Sequence, residues 1–78
     1  MSLRKAWREL DRDTVRSVPD RIAVYELGDA DGESLGLAVG VLADDLREEL
    51  AYGDAAKVRW TLANNREHAE RLLDERSE

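Results

Sequence analysis

The chain has 78 residues, no cysteine and one histidine, with 18 acidic against 12 basic side chains and a net charge of −6. Those counts exclude disulfides, thiolate zinc sites, thiol catalysis and a histidine-rich metal centre, and they bound the chain to one small domain. Ten of the basic residues are Arg, only Lys5 and Lys57 are Lys, Phe is absent and the apolar residues are mostly Ala, Val and Leu, a balance like that of proteins from salt-loving archaea, where a Debye length of about 3 Å lets carboxylates crowd.

Residues from Ser2 to about Asp13 read as a helix: Ser2 can cap it, and Leu3, Trp7 and Leu10 recur at helical spacing. The only proline, Pro19, biases Val18 towards extended backbone. Ile22 to Leu27 (IAVYEL) is β-branched and aromatic and reads as a strand, followed by the turn cluster Gly28 to Ser34 (GDADGES). Leu35 to Val41 (LGLAVGV) is a second strand. Leu35, Leu37, Val39 and Val41 fall on one face and Gly36, Ala38 and Gly40 on the other, so a helix or a ligand should approach the bare face closely.

Leu42 to Tyr52 is an amphipathic helix with Leu42, Leu46 and Leu50 along one side, ended by Gly53. Lys57 to Ala63 alternates, with Val58, Trp60 and Leu62 inward and Lys57, Arg59 and Thr61 outward. Asn64 opens a last helix, with Glu67 as its capping-box partner and Ala69, Leu72 and Leu73 as its apolar stripe. There is no internal repeat and no linker. The expectation is one α+β domain over residues 1–78: a small three-stranded sheet covered by helices, with an N-terminal helical segment over residues 1–17. With no leader sequence and no apolar run of about 20 residues, a cytoplasmic chain without a membrane span is expected.

Pro19, then Ala23-Val24-Tyr25, the turn Asp29-Ala30-Asp31-Gly32, Gly36-Leu37-Ala38, a helix, a strand and a helix follow in an order that resembles the GIY-YIG nuclease domain. That superfamily includes homing endonucleases and the incision subunit of bacterial nucleotide excision repair. The resemblance covers roughly residues 18–74 and implies the same fold there. It also implies a site of two tyrosines, an arginine on the first helix and a metal-binding glutamate on a later helix. Tyr25 matches the first tyrosine; the second falls at Gly36, the arginine near Asp45 or Leu46, and the glutamate near Leu73. Arg47 and Glu70 are the nearest substitutes, yet a shift of one or two residues turns a side chain by about 100° or 200° around a helix. Tyr25, Arg47 and Glu70 are thus vestigial catalytic candidates, and a divergent metal-dependent DNA endonuclease is the alternative to a degenerate, non-catalytic domain.

Other constellations are weak. The acidic turn lacks EF-hand spacing, His68 has no ligand at metal-binding spacing, and no metal or cofactor is expected. Arg4, Arg8, Arg12 and Arg16 recur at every fourth residue, and residues 1–21 hold six basic and four acidic side chains, net +2, leaving −8 for the rest. The stripe is a candidate surface for nucleic acid or an acidic partner. The plainer reading is local pairing, Arg8 with Asp11, and Arg12, Arg16 and Arg21 with Asp13 and Asp20. Trp7 and Trp60 read as large core residues rather than a stacking platform. The partner is left open between a homo-oligomer, another protein and nucleic acid, and a membrane is not expected.

Overall fold

Residues 5–76 are those that the computed structural model describes. Their elements are β1 (Arg8–Glu9), α1 (Arg12–Ser17), β2 (Ile22–Gly28), β3 (Ser34–Val41), α2 (Leu42–Tyr52), β4 (Lys57–Leu62) and α3 (Arg66–Arg76). The strands form one antiparallel sheet in the order β1-β4-β2-β3. The sheet therefore has four strands among the described residues, one more than the sequence pattern shows.

The hairpin forms where the β-branched runs and the turn residues predict it. Asp29 Oδ1 accepts the backbone N–H groups of Asp31 and Glu33, both at 2.9 Å, and Gly32 takes a φ of 84°. The acidic turn is thus an Asx-turn closed on its own backbone. The register shifts by one residue between Leu27 and Gly28, which drops Leu35 out of the ladder, with Gly36 at a φ of 131°. That bulge leaves Leu35 55% exposed instead of on the face shared by Leu37 and Val39.

Both faces of the sheet are covered, which makes three layers. On one face Ala23, Tyr25 and Val58 pack with Leu10, Val15, Val18, Leu42 and Leu46, so α1 and α2 lie there. On the other, Val24, Leu37 and Val39 pack with Ala63, Ala69, Leu72 and Leu73, which places α3 opposite. Leu42 and Leu46 are fully buried, whereas Leu50, the third leucine of the stripe, is left 37% exposed. Burial on both faces also explains Arg59. The alternation assigns it to solvent, but β4 lies between β1 and β2, and Arg59 Nε donates to Glu26 Oε1 at 2.7 Å, with the carboxylate side chain only 1% exposed.

The N-terminal helix expected up to Asp13 is not there in the described residues; Ser2 and Leu3 lie outside them. Arg8 and Glu9 pair with Val58 and Lys57, and Leu10 N–H donates to the Ala56 carbonyl at 3.0 Å. The helix starts only after Asp11, whose extended backbone and side-chain bond from Thr14 N–H (2.8 Å) make it the N-cap. That bond holds the Asp11 carboxyl below the ordinary aspartate range. The spacing of Trp7 and Leu10 has another cause. Leu10 enters the core, while the Trp7 ring lies so close over Gly28 that a Cβ there would come within 2.7 Å of it. The Arg59 guanidinium stacks 3.9 Å from the same ring and donates to the Lys5 carbonyl at 2.9 Å. These contacts clamp the segment extended.

At the start of α3 the cap is Asn65, whose Oδ1 accepts from His68 N–H at 2.8 Å, while His68 Nδ1 accepts from Asn64 N–H at 3.0 Å. The one histidine thus takes the capping role expected of Glu67. No helix of the described residues is long and apolar enough to cross a membrane.

Candidate functional site

Tyr25 is held on the α2 face of β2 because its neighbours Val24 and Glu26 turn to the other face. It is 8% exposed, and its hydroxyl donates to Asp45 Oδ2 at 2.8 Å. Gly40 makes room for that carboxylate, since a Cβ at this position would collide with it. The bare strand face is therefore approached by the helix side chain Asp45 at Gly40, while nothing lies within 4 Å of the place where a Gly36 side chain would begin. Burial first, then the bond to Asp45, then the charges of Asp45, Glu49 and Glu48 raise the phenol pKa above its ordinary value. Tyr25, Asp45, Glu48, Glu49 and Tyr52 surround a recess of about 390 Å³. A phenol held protonated among carboxylates makes a poor nucleophile, and the recess repels phosphate.

The other two catalytic candidates do not join it. Arg47 makes an exposed ion pair with Asp44 at 3.4 Å and turns towards α1. Glu70 is exposed on α3, the layer on the opposite side of the sheet from Tyr25. Among the described residues no cluster of His, Cys, Asp or Glu could hold a metal ion. Asp45 and Glu49 already accept bonds from Tyr25 and from the Ala55 N–H.

The arginine stripe is also redistributed. Arg4 lies outside the described residues, and Arg8 sits on β1 with its guanidinium 5.0 Å from the Trp60 ring. Only Arg12 and Arg16 share a helix, one turn apart on α1. The local ion pairs expected for them do not form: Arg12 and Arg16 make no ion pair among the described residues, and Arg21 donates to the Ala63 carbonyl at 3.3 Å. Arg12, Arg16 and Arg47 instead rim a groove of about 520 Å³ between α1 and α2, floored by Val15, Leu50 and Ala51. The tryptophans offer no free stacking platform, since arginines already lie over both rings.

Sequence reasoning found Arg12 and Arg16 in one stripe, Arg47 apart from them and Leu50 only as an apolar residue of α2, and it missed Val15 and Ala51. The spacing of Arg12, Val15 and Arg16 does place all three on one helical face. That signal needed the helix to begin at Arg12.

Over residues 1–78 the sequence matches the family described as a domain of unknown function, DUF7508. The chain belongs to that family. No curated protein and no solved structure matches it. What the domain can do is therefore read from its own side chains: a guanidinium-rimmed apolar groove on one flank of α2, and a phenol-and-carboxylate recess on the other.

Proposed function

We propose that this chain is a catalytically degenerate, GIY-YIG-like domain of a salt-adapted archaeal cytoplasm, working as a binding or assembly module. The observation that carries the reading is the groove between α1 and α2, where Arg12, Arg16 and Arg47 stand around Val15, Leu50 and Ala51. Three cations on an otherwise acidic chain select an acidic ligand, and the apolar floor selects one that brings an apolar or aromatic side chain with its carboxylates. A protein segment fits better than nucleic acid. The net charge of −6 repels a long polyanion, and phosphate-driven affinity falls steeply with salt. Support for the degenerate reading comes from the hairpin, helix, strand and helix in the order the resemblance implies, and from the separation of Tyr25, Arg47 and Glu70.

The test is titration, in molar KCl, of a fluorescent synthetic peptide in which Asp and Glu alternate with Tyr and Leu. The peptide should bind the parent chain and bind Arg12→Glu/Arg16→Glu/Arg47→Glu at least ~10-fold more weakly, equivalent to about 1.4 kcal/mol. A single-stranded oligonucleotide of equal charge should not compete. Equal peptide binding by the variant, or preference for the oligonucleotide, overturns the groove reading.

A further inference from the structure

The two flanks of α2 complement each other. On one side lies the arginine groove with its apolar floor; on the other, Tyr52 projects beside Glu48 and Glu49. Tyr52 is 88% exposed, the most exposed of the chain's large hydrophobic side chains among the described residues. An aromatic ring this open, at the end of a helix otherwise packed on the core, is a candidate interface anchor. Glu48 makes no hydrogen bond or ion pair among the described residues, and neither do Arg12 and Arg16. Unspent cations line one flank, and an unspent carboxylate beside an exposed ring occupies the other.

We infer that the acidic, aromatic segment taken up by the groove is the Tyr52 end of α2 from a second copy of this chain, giving a two-fold symmetric dimer; this rests on the groove reading above. Because knob and groove lie on opposite flanks of the same helix, a two-fold axis running along its exposed side brings the two α2 helices together parallel, with the acidic flank of each against the arginine flank of the other. Each Tyr52 ring then enters the other copy's groove over Leu50 and Ala51, with its hydroxyl and the Glu48 carboxylate directed at Arg47 and Arg12. One operation satisfies both copies, as an isologous contact requires. Two chains of net charge −6 repel in dilute salt. Molar salt screens that long-range repulsion and leaves the short-range pairing and apolar contact in place.

Sedimentation equilibrium of the full chain in molar KCl tests the dimer. The parent chain is expected to sediment as a dimer, and Tyr52→Ala, Arg47→Glu and Glu48→Arg are each expected to weaken self-association at least ~10-fold while circular dichroism stays native, as substitutions at exposed positions should allow. The charge-exchanged chain Arg47→Glu/Glu48→Arg should regain dimerisation, which a mere loss of folding cannot reproduce. A parent chain that stays monomeric in molar KCl overturns the inference, as does a dimer indifferent to all three single substitutions. If that monomer still binds the acidic peptide through Arg12, Arg16 and Arg47, the groove reading stands without the dimer. If it does not, both fall.

Discussion

Arg59→Met is expected to lower the unfolding free energy by about 3–5 kcal/mol, equivalent to roughly 12 °C or more in melting temperature for a domain of this size. The reason is the position of Glu26 on β2, between β3 and β4. Its carboxylate is cut off from water at 1% exposure, and the Arg59 guanidinium 2.7 Å away is 15% exposed. Removing the cation withdraws the 2.7 Å charge-assisted bond from an anion in a low-dielectric layer, where hydration cannot replace it. The same guanidinium covers the Trp7 ring and binds the Lys5 carbonyl, so the substitution also loosens the segment leading into β1. Arg59→Lys keeps the charge but not the planar fork and should fall between the two. Glu26→Leu/Arg59→Met should recover most of the loss, because an apolar pair of similar volume has no charge to desolvate. Urea denaturation measures all four chains. An Arg59→Met midpoint within error of the parent would show that the buried pair contributes nothing to the fold.

A second large effect is expected from salt. Between about 0.01 M and about 1 M KCl the Debye length falls from roughly 30 Å to roughly 3 Å. Asp45, Glu48 and Glu49 converge around the Tyr25 hydroxyl, and Asp29, Asp31 and Glu33 crowd one turn. None of these six carboxylates takes part in an ion pair among the described residues, so their mutual repulsion is not offset by a neighbouring cation. Screening should raise stability by about 2 kcal/mol, equivalent to roughly 8–16 °C in melting temperature. The Arg59→Met deficit should persist at both salt concentrations, since a buried pair is screened far less than surface charge. Calorimetry over a KCl series checks this, and a flat melting curve from dilute to molar salt would contradict the halophilic reading.

How much of this was legible in the sequence differs from element to element. The hairpin and α2 stand out because β-branched runs, turn residues and a leucine repeat all agree there. β1 does not, because Arg8 and Glu9 form a strand only by virtue of β4, a partner almost fifty residues away with no local signal. Misplacing that segment also hid the groove. Arg12 and Arg16 were visible as part of a stripe and Arg47 as a displaced catalytic arginine, but their meeting depends on α1 packing beside α2. The Glu26–Arg59 pair was half legible: a carboxylate in an otherwise apolar strand demands a cation, and only the strand order says which one. Leu35 misled because a bulge breaks the two-residue period that placed it inward.

Plasmid nicking in molar KCl with magnesium or manganese tests most directly the proposal that the domain keeps a nuclease-like frame without its chemistry. Tyr25 is held protonated beside Asp45, Arg47 faces α1 and Glu70 lies across the sheet, so no cleavage above the protein-free control is expected with either metal. Cleavage by the parent chain that disappears in Tyr25→Phe would contradict the account.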